Sequence, residues 1–342
     1  MLDYPHLKNR TVLVTGGTGF IGRHLLCQLV AAGARVKALV RPRSDLNVLR
    51  SVADRVEILK GDLKARDSLG IVVEGVEFVF HLAAATRGNW EEAQQATVLG
   101  TGSLLEKARQ ANVRHFVYVS SMTVYDYGRM PPGAVVDENA PLESDPRRRN
   151  NYARSKCEAE ALVRDYLNAP GMALTIVRPG AVYGPGGPSH LPPAVRLVAG
   201  KLALAIGGGR RQIPLLYVDD LVDALLRIAA APVAAGKIYN VVSDAPVTEA
   251  IYVSTYLQAK GRRVLLLPLP KLPFFFFARL YDAVARLTRR KPESDLLRSL
   301  RRVTNPVSFS AAAIQKDLGW RVRTDVDQGL QASLEDIADA VS

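Results

Sequence analysis

Cysteine is nearly absent: Cys27 and Cys157 are the only two in 342 residues. Two thiols exclude a disulfide framework. Each lies in a helical pattern and reads as a core thiol of a reducing compartment, and no metal site is expected. Met1-Leu2-Asp3-Tyr4-Pro5 lacks the basic start and apolar stretch of a secretory signal, which points to the cytoplasm. Long apolar runs are missing too. The longest candidate, 264–277, is interrupted by three prolines and Lys271, so it is no membrane span. Acid is in short supply, with 33 Asp and Glu against 45 Lys and Arg. The imbalance is local. Between Lys260 and Arg302 stand twelve basic residues against Asp282, Glu293 and Asp295, so this segment carries +9 of the net +12. No nucleic-acid motif accompanies the charge, and nucleic acid is not an expected partner.

What is present starts at Thr15-Gly16-Gly17-Thr18-Gly19-Phe20-Ile21-Gly22. An apolar run, Thr11–Val14, precedes it and an apolar-periodic segment, Leu25–Val30, follows: strand, glycine turn, helix. Gly16 permits the tight turn out of the strand. Gly19, without a Cβ, lets a pyrophosphate approach the backbone. Gly22 lets the helix pack closely, and the helix N-terminus offers unpaired N–H groups to phosphate. Further strand-like runs follow at Val36–Val40, Val56–Leu59, Phe78–Leu82, Phe116–Ser120 and Leu174–Arg178. Helical patterns alternate with them, notably Trp90–Gln110 and Tyr152–Leu167. This alternation predicts an α/β fold, a Rossmann-type doubly wound parallel sheet. Beyond Gly180 the texture changes, with helix expected over Pro193–Ala199, strand over Leu215–Val218, helix over Asp219–Ala230 and strand over Ile238–Val242. The expected division is a dinucleotide-binding domain over 1–180, to which 215–245 returns, and a smaller substrate-binding cap from 181–214 and 246–342.

Tyr152 and Lys156 stand four apart on a helical pattern and so share a face. A tyrosine near pKa ~10 is a poor acid or base at neutral pH, and an adjacent ammonium favours its phenolate. Drawing it toward ~7 takes about 4 kcal/mol of differential stabilisation. The spacing recurs at Tyr4/Lys8 and Tyr256/Lys260, which read as surface tyrosines beside solvated lysines. Context singles out Tyr152: the central strand Phe116–Ser120 ends in Ser120-Ser121-Met122-Thr123, which puts hydroxyls at a carboxyl edge.

With these pieces the chain resembles an extended short-chain dehydrogenase/reductase, of the NAD-dependent epimerase/dehydratase family. The resemblance is carried by Thr15–Gly22, Gly61-Asp62-Leu63, His81-Leu82-Ala83-Ala84, Ser120-Ser121, Tyr152 with Lys156, Arg178-Pro179, Tyr183-Gly184-Pro185-Gly186, Tyr217-Val218-Asp219-Asp220 and Tyr239-Asn240. It implies Tyr152 as general acid/base, Lys156 as its tuner and a ligand of the nicotinamide ribose, and Ser121, with Thr123 beside it, as the group orienting the reacting oxygen. It implies that Gly16, Gly19, Phe20, Ile21 and Gly22 hold the pyrophosphate, Asp62 and Leu63 meet adenine, Ala83 and Ala84 line the cofactor channel, and Pro179 passes the nicotinamide. Helices near Trp90–Gln110 and Tyr152–Leu167 form the dimer face in many relatives, making a homodimer a candidate state.

Departures from the family pattern sharpen the expectation. Where NAD-preferring members carry an acid at the end of the second strand, this chain has Val40, then Arg41 and Arg43. Two guanidinium groups suit a 2′-phosphate, so NADP is the expected cofactor, with NAD the alternative. Ala181 stands where nucleotide-sugar enzymes carry Asn, and Ile213-Pro214-Leu215-Leu216 where they carry Arg, although Arg210 and Arg211 lie just upstream. In a third departure, Thr97 stands where the family usually carries Asn. Substrate contacts are expected from Ser121, Ala181 and Tyr183. The closest type is the 3β-hydroxysteroid dehydrogenase and dihydroflavonol reductase group, and the expected reaction interconverts a secondary alcohol and a ketone on a relatively apolar molecule. Two alternatives keep the same residues: a nucleotide-sugar epimerase or dehydratase with tightly bound NAD(P), and a non-catalytic NADP-binding sensor or assembly factor. For 264–302 three readings compete: an apolar face in the core with the basic face solvated, a lid over an apolar substrate, and peripheral contact with an anionic membrane.

Overall fold

The structure, a computed structural model, describes residues 4–187, 192, 194–198, 202–259, 265–287 and 296–339. Seven strands form the central sheet: β1 Thr11–Thr15, β2 Arg35–Val40, β3 Val56–Lys60, β4 Phe78–His81, β5 His115–Val119, β6 Ala173–Pro179 and β7 Ile238–Val241. All pairings are parallel, in the order β7-β6-β5-β4-β1-β2-β3. The order reverses between β1 and β4. Their carboxyl ends therefore border the crevice in which ligands bind in such sheets.

Apolar residues of the central strands alternate between two cores. Val12, Val14, Val117 and Val177 point into one, with Leu25, Leu26 and Leu29 of helix Phe20–Ala31 and Leu221 and Leu225 of helix Val218–Ala230. Leu13, Val79, Phe116 and Leu174 point into the other, with Leu104 and Leu105 of helix Gly100–Gln110 and Ala159 and Val163 of helix Asn151–Asp165. A sheet buried on both faces explains why the strands read as near-continuous apolar runs.

Several expectations are corrected. The stretch expected as one helix over Trp90–Gln110 contains a π turn at Gln94–Leu99, between helices Trp90–Ala93 and Gly100–Gln110. Within it Thr97 Oγ1 accepts from the Ala85 N–H at 2.8 Å. The region expected helical over Pro193–Ala199 contains the strand Val195–Val198; Pro193 and Ala199 lie outside the described residues. Val195 and Leu197 alternate into an apolar cluster, and the strand pairs antiparallel with Leu202–Ile206, which pairs parallel with Leu265–Leu269. Cys27, expected in the core, is exposed, and Cys157 is half-buried; both are free.

The C-terminal region is fastened through the Tyr217–Asp220 motif. Trp320, fully buried, donates its indole N–H to the Asp220 carbonyl at 3.1 Å. The Asp220 carboxylate accepts from the N–H groups of Arg323 and Thr324 at 3.1 and 3.2 Å. Helix Lys271–Leu287 packs on helix Leu296–Thr304, and the Asp282 carboxylate accepts from the N–H groups of Leu296 and Leu297 at 3.3 and 3.2 Å. No helix among the described residues is long and apolar enough to cross a membrane.

At the end of β4, His81 is fully buried between Thr15 Oγ1 at 2.6 Å and Thr101 Oγ1 at 2.8 Å. Burial, with a smaller contribution from the Lys156 charge, lowers its pKa from 6.5 to about 3. The ring folds neutral, so the unfolded chain takes up a proton first as pH falls. Stability from this residue is complete above pH about 6.5 and is lost as pH falls toward 3, about 2 kcal/mol of it by pH 5. Thermal melts across this range are expected to show a shallower acid loss in His81→Gln than in the wild type. Parallel curves would contradict this.

Candidate active site

The glycine turn lies where β1 ends. Gly16 has φ +75°, and a Cβ there would lie 2.8 Å from the Ala83 nitrogen. The turn and the small-residue run after β4 thus require each other. A Cβ on Gly22 would lie 2.1 Å from the Gly16 carbonyl oxygen, so helix Phe20–Ala31 can start this close to the turn only with glycine there. Gly19 differs. Among the described residues its Cβ would meet only the Gly16 oxygen, at 3.1 Å. No other described residue lies against it, and Gly19 caps the helix without a side-chain bond. Such an uncapped N-terminus fits a pyrophosphate. Phe20 and Ile21 open this helix. The Phe20 ring lies under Gly187, where a Cβ would approach it to 2.6 Å.

Along the sheet edge, Val40 closes β2 and its carbonyl accepts from the Gly61 N–H at 2.9 Å, which brings Arg41 beside Asp62 and Leu63. Leu63 is buried, and Asp62 accepts from the Lys64 N–H at 3.0 Å. Arg41 and Arg43 are exposed, and no side-chain bond ties either to another described residue. Ala83 donates its N–H to Thr15 Oγ1 at 3.3 Å, and Ala84 follows on the same loop.

Helix Asn151–Asp165 presents Tyr152 and Lys156. Asn150 starts it, its side-chain oxygen accepting from the Ala153 N–H at 2.8 Å. Lys156 is buried, and its ammonium donates to the Val119 carbonyl at the end of β5 at 2.7 Å. That bond takes one of three N–H donors, and no other described residue takes a second, which fits a ribose hydroxyl as partner. Burial, opposed by the Glu160 charge, lowers Lys156 from 10.5 to about 8. The Tyr152 hydroxyl faces Ser121, which holds its pKa down against burial. Ser121 Oγ in turn accepts from the Thr123 N–H at 3.1 Å and from Thr123 Oγ1 at 3.0 Å. Thr123, Ser121 and Tyr152 thus form one chain of hydroxyls. The sequence predicts a Tyr152 drawn down by Lys156. In this structure burial dominates and raises it, with Ser121 opposing.

On the substrate side, Pro179 closes β6, and a Cβ on Gly180 would lie 2.1 Å from the Pro214 oxygen. Ala181 is exposed and donates its N–H to that same oxygen at 2.5 Å. Ile213 and Pro214 therefore run alongside Pro179–Ala181. Tyr183 is buried, edge-on to Tyr217 with ring centroids 5.6 Å apart and against Gly329. Arg211 is engaged with buried Glu249 at 3.3 Å. Of the other two Tyr/Lys spacings, Tyr4/Lys8 lies elsewhere, and Lys260 of the second lies outside the described residues. Tyr4 is buried and donates to Asp223 at 2.7 Å, and Tyr256 stacks on Tyr252, so neither is the surface tyrosine expected. Among the described residues no cluster of His, Cys, Asp and Glu could hold a metal ion.

Sequence reasoning assigned no role to the network beneath these hydroxyls. Glu160 accepts from Ser120 Oγ at 2.5 Å and from Arg178 Nε and Nη2 at 3.1 and 2.5 Å. Arg178 Nη1 donates to the Tyr125 hydroxyl, which donates to Asn240 Oδ1, each at 2.7 Å. The available signal was Glu160 standing four residues after Lys156, on the same helix face.

Residues 12–241 match the family described as NAD dependent epimerase/dehydratase. The 4-hydroxy-2-methyl-3-oxo-4-farnesyl-3,4-dihydroquinoline-1-oxide ketoreductase of Stigmatella aurantiaca is 30% identical over 93% of this chain and 94% of its own length. The 2-alkyl-3-oxoalkanoate reductase of Shewanella oneidensis is 27% identical over 96% of this chain and 87% of its own. Among solved structures, the dTDP-glucose 4,6-dehydratase DesIV of Streptomyces venezuelae, solved with NAD, superposes with a TM-score of 0.72 at 24% identity, covering 96% of this chain and 97% of that one, and so shares the fold. The glycine turn, the sheet order and this match agree, and the chain is an NAD(P)-dependent enzyme that belongs to the NAD dependent epimerase/dehydratase family, the extended type of short-chain dehydrogenase/reductase.

Proposed function

We propose that this enzyme is an NADP-preferring reductase that converts an apolar ketone to a secondary alcohol. The observation that carries the reading is the Thr123–Ser121–Tyr152 hydroxyl chain with a buried Lys156 one turn further along the helix. Ser121 holds the ketone oxygen and Tyr152 gives it a proton. The raised pKa of Tyr152 keeps the phenol protonated at neutral pH, which is the donating form. When bound, the dihydronicotinamide supplies the hydride to the carbonyl carbon, so one hydride and one proton complete the alcohol. Lys156 binds the ribose through its free donors and places positive charge near the phenolate left behind. Arg41 and Arg43 receive the 2′-phosphate beyond β2, which ends in Val40 and not in an acid.

The apolar substrate class rests on the wall beside Pro179. Ala181, Ile213 and Pro214 offer little to a nucleotide diphosphate, and Arg211 is engaged by Glu249. The names of the two curated relatives support the class, one describing a farnesylated oxo-dihydroquinoline and the other an alkyl oxoalkanoate. Both are named as reductases of oxo compounds. Stoichiometric NADPH consumption with a ketone distinguishes this reading from epimerisation, in which the cofactor returns unchanged.

Tyr152→Phe is expected to lower kcat for ketone reduction by roughly 10²–10⁴-fold while NADPH still binds, as read by cofactor fluorescence. Full turnover in that variant would refute the assignment. The value of kcat/KM for reduction is expected to fall as pH rises through about 8, where Lys156 loses its charge; a profile flat well above that pH contradicts the role. Replacing both Arg41 and Arg43 by Ala is expected to weaken NADPH binding roughly 10- to 100-fold and leave NADH binding unchanged. A wild-type enzyme that binds NADH more tightly than NADPH would overturn the cofactor assignment.

A further inference from the structure

Helix Lys271–Leu287 is inverted in its polarity. Its core-facing side is small, with Ala278, Asp282 and Ala285 buried. Its outward side is large and apolar: Leu272 is 82% exposed, Phe276 and Phe277 each 65%, and Leu280, Tyr281 and Val284 about half. The spacing 272, 276, 280 and 284 places four of these on one stripe, with 277 and 281 beside it. The reading in which this apolar face fills the core is thereby corrected. Leu265 and Leu267, on the strand that leads into the helix, are exposed as well. A monomer in water rarely leaves so continuous an apolar surface uncovered.

Charge selects what covers it. Arg279, on the same helix, is exposed. The surrounding segment from Lys260 to Arg302 carries +9. Arg298 and Arg302 of this segment are paired with Asp126 and Glu143, which leaves about +7, so pairing the stripe with a second copy about a twofold axis would set like charge against like charge. An anionic bilayer offers the complementary sign together with an apolar interior. We propose that helix Lys271–Leu287 lies in the plane of an anionic membrane surface, with Phe276, Phe277, Leu280 and Val284 inserted below the headgroups and the flanking basic residues meeting lipid phosphate.

The surface is mechanically joined to the hydroxyl chain. Asp282 accepts from the first N–H groups of helix Leu296–Thr304. Arg302 of that helix donates to Glu143 at 2.7 Å. Glu143 also accepts from Arg149 at 3.0 Å, and Arg149 donates to the Thr123 carbonyl at 3.2 Å. Docking through the stripe therefore holds the candidate site at a defined place against the bilayer, where apolar compounds partition. The proposal stands on exposure and charge and does not depend on the reaction assigned above.

The test uses the full chain with vesicles of phosphatidylcholine alone and with phosphatidylglycerol added, read by flotation at low and high salt. The wild type is expected to float with the anionic vesicles and roughly tenfold less with neutral ones, and salt is expected to weaken binding. Phe276→Ser with Phe277→Ser is expected to abolish flotation while NADPH binding and oligomeric state stay as in the wild type. Phe276→Trp reports insertion independently through a blue shift of its emission on anionic vesicles. Equal flotation of the double variant, no binding to anionic vesicles, or a wild-type dimer that the double variant dissociates would each overturn the proposal.

Discussion

Helix Asn151–Asp165 carries Tyr152 and Lys156, and one buried ion pair fastens it to the sheet. Glu160 and Arg178 are both essentially without solvent exposure, and their closest oxygen and nitrogen are 2.5 Å apart. Taking two charges out of water costs several kcal/mol per ion, which is recovered only when the remaining hydrogen-bonding capacity is satisfied. Here it is. Ser120 occupies Glu160, while Tyr125 and the Glu138 carbonyl occupy Arg178. Removing one partner of such a pair generally costs about 3–5 kcal/mol, because the other charge is stranded. The pair joins the helix to β6, and Ser120 extends the tie to the residue after β5. Glu160 acts a second time through its charge, which opposes the deprotonation of buried Lys156.

Around this anchor the candidate site is assembled from the carboxyl ends of successive strands. β1 ends in the glycine turn, and β4 ends in His81 and the loop that packs against Gly16. β5 ends in the carbonyl that holds Lys156 and the serines that follow, and β6 ends in Pro179. A parallel sheet directs all these ends to one edge, so residues distant in sequence become neighbours without long loops. The order reversal between β1 and β4 opens the crevice beside them.

Much of this was readable in advance, and the reason is locality. A strand, a glycine turn and a helix follow from propensity within about fifteen residues, and Tyr152 and Lys156 share a face by helical geometry alone. The failures have equally physical causes. Val195 and Leu197 belong to a strand of period two that a Pro-rich stretch disguised as helix. Thr97 accepts the Ala85 N–H from within a π turn, which helical periodicity does not announce. Glu160 and Arg178 lie eighteen residues apart, on a helix and a strand, and nothing in either local pattern marks them as partners. Glu143 draws in Arg149 from nearby and Arg298 and Arg302 from some 155 and 159 residues away.

Residue order alone, through backbone turns and side-chain periods, determined that a strand, a glycine turn and a helix follow one another over 11–31 and that a tyrosine and a lysine share one helix face downstream of them. Folding decided the state of those groups. Burial against β5 lowers Lys156 and raises Tyr152, because desolvation depends on which atoms surround a group and not on its neighbours in the chain. Folding also decided which way the phenylalanine-rich helix faces. Its apolar stripe is equally compatible with a core or a surface on sequence grounds. Ala278, Asp282 and Ala285 are the described residues of this helix that folding buries, and the aromatic rings are left outside.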